Sequence, residues 1–299
     1  MRRPDETVSV FEAHRPRLVR LAYRMLGSVA EAEDVVQNAW LRWQGANAEG
    51  VREPAAWLTR TVTRLSLDVL KSARMRRETY VGAWLPEPLV QPEAEEGELH
   101  DDLTLTLMLA LERLSPLERA AFLLHDVFGV EFEEVASTLG REPAAARQLA
   151  ARARRHVQDA RPRFPIERSE GEKIAQAFFD ASRTGDVAAL RSLLAEGVTL
   201  RSDGGGKVIA FLNPIHGLEK VLRLYSGLRR KFDPASFVHL RSMWIDGLPG
   251  YASIERGQVL QTTALDIEGG RIVGIYITRN PDKLAHVARE LGLPSAPLH

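Results

Sequence analysis

The segment from Phe132 to Val157 restricts this chain more than any other. Phe132, Val135, Ala136 and Leu139 recur at helical spacing, Gly140 breaks the run, and Ala146, Leu149, Ala150, Ala153 and Val157 make the apolar face of a second helix. Small Ala136, four residues before the turn glycine, lets two short helices cross closely, as a helix-turn-helix requires. The opposite face of the second helix presents Arg147, Gln148, Ala151, Arg152 and Arg155, with Arg141 at the turn. Such side chains reach base edges and phosphates in a major groove. A solvated helical hairpin in a bundle would share the spacing, but the density of arginine on one face favours DNA binding.

The total charge argues the other way until it is read by segment. Forty Lys and Arg balance forty Asp and Glu over 299 residues. Between Val81 and Glu112, however, stand eight acids and no Lys or Arg, while Leu139 to Phe164 carries seven arginines against two acids. Met1 to Tyr80 has 14 basic residues against 10 acidic ones. Two basic blocks with an acidic segment between them are unlike a uniformly neutral enzyme. The chain has no cysteine, which excludes disulfides, thiolate metal sites and cysteine nucleophiles. No run of 18 apolar residues occurs, and the N-terminus lacks the apolar core of a signal peptide, so the expectation is a cytoplasmic chain without a membrane segment. The length predicts two or three folded units.

Three helices are expected in the first block: one ending at Gly27-Ser28, one carrying Val35, Val36, Ala39, Trp40 and Trp43, and one over Ala55–Ala73 entered through Pro54. Tyr80 to Leu103 is rich in Pro and Glu, without helical period, and reads as a linker. A helix from Leu103 follows, and Ser115-Pro116-Leu117-Glu118 has the form of a capping box opening the next, which Gly129 ends. From Ser169 the pattern changes. Helices at Glu172–Arg183 and Val187–Glu196 precede strands at Val198–Arg201, Val208–Ala210, Phe237–Trp244, Tyr251–Ile254, Val259–Ile267 and Ile272–Ile277, with a helix near Gly217–Arg230. This is an α+β domain with a curved antiparallel sheet.

The first block alone is ambiguous. Lys71, Arg74, Arg76 and Arg77 suit a solvated helix C-terminus as well as a contact with phosphates, and Trp40 and Trp43 suit a core. Yet His14 to Gly27, Ala32 to Arg42 and Ala56 to Leu65 resemble the N-terminal domain of bacterial extracytoplasmic-function sigma factors, and Leu114 to Val157 is similar to their C-terminal DNA-binding domain. The resemblance implies a helix around Asp34, Gln37, Asn38, Trp40 and Leu41 that holds the β′ clamp helices of core RNA polymerase. It implies a segment with Arg64, Asp68, Lys71, Arg74, Arg76 and Arg77 on the −10 element, Arg141, Arg147, Gln148, Arg152 and Arg155 on the −35 element, and a contact with the polymerase β flap. Glu142 before Pro143 departs from the pattern, since Ser or Thr would cap better, and leaves the aim of Arg141 open.

Three further stretches, Tyr80 to Pro88 with Trp84-Leu85-Pro86, Asp203-Gly204-Gly205-Gly206-Lys207, and Asn280-Pro281-Asp282-Lys283-Leu284, resemble the signatures of the sigma-factor group with a fused SnoaL-like extension. The implied fold is multidomain: two all-α sigma domains, the second with the helix-turn-helix, plus a C-terminal α+β SnoaL-like cone. The expected boundaries are 7–78 for the region 2-like domain, 79–103 for the acidic linker, 104–162 for the region 4-like domain and 169–290 for the cone. The resemblance implies a sigma factor working with core RNA polymerase and promoter DNA, needing no cofactor or metal, and regulated through contacts between its own linker, sigma domains and cone. For the motifs themselves a local reading stays open: a glycine turn at 204–206 or a close approach to the linker, a helix cap at Asn280 or a contact. The alternative function is a DNA-binding regulator whose cone binds a small-molecule ligand or acts as an isomerase or cyclase, with Asp203, His216, Asp246 and Asp266 as candidate pocket groups.

Overall fold

The computed structural model describes residues 4–45, 51–78, 80–91, 105–158, 166–256 and 258–293, with side chains except at 4–6, 73–78 and 91. The expected acidic run from Glu93 to Asp102 therefore lies outside the described residues. In chain order the elements are α1 (Pro4–Leu26), α2 (Val29–Gly45), α3 (Pro54–Glu78), β1 (Val90–Gln91), α4 (Leu105–Leu111), α5 (Pro116–Phe122), α6 (Phe132–Leu139) and α7 (Pro143–Val157). They continue as α8 (Arg168–Thr184), α9 (Val187–Leu193), β2 (Leu194–Asp203), β3 (Ile215–His216), α10 (Leu218–Lys231), β4 (Phe237–Ile245), β5 (Leu248–Glu255), β6 (Val259–Glu268), β7 (Arg271–Thr278) and α11 (Pro281–Glu290). Two compact units result, Met1–Thr79 with Met108–Ala160, and Tyr80–Leu107 with Arg161–His299.

In the first unit α1 packs on α2 and α3. Leu18, Leu21, Met25, Val35, Val36, Trp43, Leu58 and Val62 are buried, from the apolar positions that recur at helical spacing. Trp43 is fully enclosed, its indole N–H donating to the Thr7 carbonyl at 3.1 Å, whereas Trp40 is half-buried against Phe11. Helix α3 runs five residues past the expected Ala73. The capping box forms as expected: the Glu118 N–H donates to Ser115 Oγ, and the Glu118 carboxylate accepts from the Ser115 N–H at 3.1 Å. Leu123–Val127 is a π-helical turn that no sequence pattern announces. Gly140 closes α6 at φ 63°, a left-handed conformation that a Cβ disfavours by about 1 kcal/mol.

Buried Arg119 ties α5 to α1 and α4. Its Nη1 donates to the Met25 carbonyl at 2.6 Å and to Glu112 at 2.7 Å, and its Nε to the Leu111 carbonyl at 3.0 Å. Burial lowers its pKa to about 10, so it keeps its charge at neutral pH. Arg17 Nη2 donates to the Phe128 carbonyl, and the Arg17 and Arg24 guanidinium groups lie over the Phe128 ring.

The second unit is built on one seven-stranded sheet in the order β1-β4-β5-β6-β7-β2-β3. One face is covered by α8, α9 and α10, with Phe178, Leu190, Val198, Leu200, Leu222, Leu265 and Ile275 in its core. The other face receives α11 through Leu260, Leu284 and Val287. The sheet is mixed rather than antiparallel as expected: β2 pairs with β7 in parallel, because these strands are far apart in sequence and no hairpin forces them to oppose. Helix α9 stops at Leu193, three residues before the expected Glu196, since Leu194 already pairs with Ile272 and buries its side chain. The strand expected at Val208–Ala210 is absent. Lys207 and Val208 N–H groups bond back to the Gly204 carbonyl, and Ile209 stands 77% exposed. Val90 and Gln91, inside the expected linker, instead add a strand to the edge of β4.

Candidate functional site

The second helix of the helix-turn-helix, α7, exposes Arg141 just before it and Arg147, Gln148, Arg152 and Arg155 along it. Three of its arginines are held by acids from three different places. Arg147 Nη2 lies 2.8 Å from Glu133 of α6 and over the Phe132 ring, Arg152 Nε 2.8 Å from Glu118 of α5, and Arg154 Nε 2.5 Å from Asp126 in the π turn. Burial raises the Glu118 pKa, but the Ser115 hydrogen bonds and Arg152 outweigh it and bring the carboxyl below its ordinary range. With the arginine ends about half exposed, such pairs are worth about 0–1 kcal/mol each. Glu142 makes no side-chain cap at the start of α7. Arg154 is not among the residues expected to contact DNA.

On α2, Asp34, Gln37, Asn38 and Leu41 form one exposed stripe beside half-buried Trp40. Leu41 is 56% exposed, a large apolar side chain in the middle of a polar face. On α3, Arg64, Asp68 and Lys71 are exposed, and Lys71 pairs with Asp68 at 3.0 Å. Arg64 is engaged within the first unit, with Nε donating to the Thr138 carbonyl and Nη2 to the Ser137 carbonyl, both at 3.2 Å. The side chains of Arg74, Arg76 and Arg77 lie outside the described residues, although their backbone continues α3.

In the second unit the three motifs meet at the fully buried Asp203 carboxylate. Oδ1 accepts from the Tyr80 hydroxyl at 2.5 Å and the Gly205 N–H at 3.0 Å; Oδ2 accepts from the Leu85 N–H at 2.9 Å and from Lys283 Nζ at 2.8 Å. Lys283 also donates to the Leu85 carbonyl, and its ammonium lies 4.3 Å from the Trp84 ring centroid and 5.0 Å from that of Tyr80. Burial and Asp203 push the Tyr80 phenol well above its ordinary pKa, so it stays a donor. Leu85 and Pro86 are buried and Trp84 half-buried.

Asn280 serves both open readings: Oδ1 caps α11 through the Asp282 N–H, with Pro281 in its first turn, and Nδ2 donates to the Tyr80 oxygen at 2.9 Å. The glycine stretch likewise serves both. Gly205 and Gly206 have φ of 62° and 72°, and a Cβ there would meet the Asn280 side chain and Val81 respectively. A Cβ on Gly204 would fall 2.1 Å from the Val208 carbonyl oxygen. Lys207 pairs with Asp282 at 2.6 Å, and Leu284 is buried under the sheet. Two contacts were not expected. His286 Nε2 lies 2.6 Å from the Pro88 carbonyl and Nδ1 3.5 Å from Glu87, a charge contact rather than a hydrogen bond. Tyr80 opens the linker motif and brings its hydroxyl to Asp203.

The four candidate pocket groups do not converge. Asp203 is the centre just described. Asp246 sits at a turn with φ 47°, where its carboxylate accepts from the Leu89 N–H. Asp266 accepts from the Thr106 hydroxyl at 3.1 Å, and burial raises its pKa. His216 is exposed on an edge strand beside Thr199.

Comparison with known proteins identifies the family. Sigma-70 region 2 matches residues 10–76, and Sigma-70, region 4 matches residues 104–157. The ECF RNA polymerase sigma factor SigJ of Mycobacterium tuberculosis is 40% identical over 291 residues, covering 92% of each chain. The chain belongs to the extracytoplasmic-function sigma factor family. A second relative from that organism, the probable ECF RNA polymerase sigma factor SigI, is 33% identical and covers 98% of this chain and 99% of its own. The crystal structure of M. tuberculosis SigJ superposes with a TM-score of 0.74 at 35% identity, covering 97% of this chain and all of that one. This sigma factor thus has two helical sigma domains, the second with a helix-turn-helix, and a C-terminal α+β domain. Among the described residues no helix is long and apolar enough to cross a membrane.

Proposed function

We propose that this sigma factor engages core RNA polymerase through the α2 stripe, the −10 element through α3 and the −35 element through α7, and that its C-terminal domain sets its activity by holding the linker. The observation that carries the regulatory part is the Asp203 carboxylate, which fastens Tyr80 and Leu85 to the C-terminal domain in company with Lys283. The linker leads in sequence from the region 2-like helices to the region 4-like helices, so what holds it limits how those two can be presented to promoter DNA. Within the first unit, a contact of Arg64 with the −10 element would exchange its hydrogen bonds to the Ser137 and Thr138 carbonyls. An enzymatic C-terminal domain has less support, since each candidate acid is occupied by structural partners.

Run-off transcription from a genomic-fragment library with reconstituted holoenzyme tests the reading. Promoter-specific initiation is expected from the full chain, or from a chain ending at residue 168 if the C-terminal domain restrains it. Leu41→Asp, on an exposed side chain, is expected to keep the fold and to weaken core binding roughly tenfold or more. No specific initiation from either chain overturns the proposal.

A further inference from the structure

Helix α7 carries its polar side chains on separate lines. At about 3.6 residues per turn, Ala144, Gln148, Ala151 and Arg155 run opposite the buried line of Ala146, Ala150, Ala153 and Val157, and all four are exposed. Arg147 falls to one side of that leading line and Arg152 to the other. Both flanking heads turn back toward other helices of the first unit. Arg147 pairs with Glu133 on α6 and lies over the Phe132 ring, and Arg152 pairs with Glu118 on α5. Gln148 differs from both. Among the described residues its exposed side chain has no hydrogen-bond partner.

The residues beside Gln148 set how deeply the helix can seat. Its neighbours on the leading line, Ala144 one turn before and Ala151 one turn after, carry only methyl groups. A helix with its side chains is about 10–12 Å across and a major groove about 12 Å wide, so a leading line without bulk lets the helix axis approach the base edges. A side chain as short as glutamine reaches them only from such a position. Its amide matches adenine: Oε1 accepts from the N6 amino group while Nε2 donates to N7. Base reading concentrates in the first turns of a recognition helix, where Gln148 stands, whereas Arg155 belongs to the last turn of α7. We propose that Gln148 reads one adenine of the −35 element, with Ala144 and Ala151 against thymine methyl groups of neighbouring pairs and Arg147 and Arg152 on phosphates of the two groove walls. This specificity rests on α7 facing the −35 element, and adds to it the side chain that selects a base and the base it selects.

Holoenzyme reconstituted with the full chain, given a promoter recovered in the transcription experiment and randomised across its −35 element, tests this by sequencing the bound fraction. The native chain is expected to enrich adenine at one position roughly tenfold over the other bases. Gln148→Ala should lose that preference and keep those at the other positions. Gln148→Arg should move it from adenine to guanine at the same position, a change that a structural role of Gln148 would not produce. Arg147→Ala and Arg152→Ala should weaken binding to all members about equally and leave the preference in place. A preference unchanged by Gln148→Ala, adenine retained by Gln148→Arg, or a native −35 element without a selected adenine would each overturn the proposal alone. If the native holoenzyme selects no −35 element, the assignment of α7 falls first and the role of Gln148 falls with it.

Discussion

Replacing Asp203 with asparagine keeps the size of the side chain and removes its charge. In the native protein this carboxylate has no solvent exposure and accepts from Tyr80, Leu85, Gly205 and Lys283. Removing one partner of a buried ion pair typically costs about 3–5 kcal/mol, because the other charge remains out of water. Asparagine still offers one acceptor oxygen, and Lys283 keeps the Leu85 carbonyl, which places the loss near the lower end, at about 3 kcal/mol. At about 1.4 kcal/mol per tenfold, the equilibrium for local opening of the linker then rises by roughly a hundredfold.

Hydrogen exchange reads this directly at the Leu85 amide, whose N–H donates to Asp203. Its protection is expected to fall by about two orders of magnitude, while amides of α5 and α7 in the first unit stay within roughly threefold. Adding Lys283→Met to Asp203→Asn should recover part of the loss, since it removes the charge left behind. Leu85 exchange within threefold of native would refute the reasoning. So would a double variant that opens further than the single one.

Two other perturbations have worked signs. Glu118→Ala removes the carboxylate half of the capping box and the Arg152 pair, and urea denaturation should show a loss of about 1–2 kcal/mol. The folded pKa of Glu118 is depressed, so its contribution is present above its unfolded value near 4.3 and disappears as pH falls through the folded one; the gap between variant and native should close in acid. For His286, burial opposes the charge, but the Glu87 carboxylate and the Pro88 carbonyl outweigh burial and raise its pKa despite nearby Arg289. Its contribution is then complete below the unfolded value of about 6.5 and is lost as pH rises through the raised folded value. Exchange at the linker amides beside Pro88 should accelerate across that window in the native chain, and Gln at position 286 should flatten the dependence.

Local signals in the sequence were strongest where one residue type dictates one backbone state. The box at Ser115 and Glu118, the left-handed Gly140 and the start of α11 at Asn280-Pro281 all follow from side chains that bond to their own backbone or tolerate positive φ. Helical periodicity likewise placed α6 and α7. What stayed hidden depends on distant partners. Leu194 to Glu196 continue a helical pattern but are drawn into β2 by pairing with β7, and Val90 becomes a strand residue by adding to the edge of β4.

The same division runs through the functional residues. Arginines spaced along α7 and the three motifs of the C-terminal group are properties of composition and order, readable without coordinates. That Asp203, in one motif, would take its partners from the other two, with Tyr80 and Leu85 on one side and Lys283 on the other, is a matter of which side chains share a buried volume. Charge pairing followed the same rule: the sequence determined two basic blocks and an acidic stretch, but only the tertiary structure decided that Arg147, Arg152 and Arg154 would each face an acid. Hydrogen bonds within a turn are set by neighbours in the chain. Those between segments 80 to 200 residues apart exist only once apolar burial has brought the segments together.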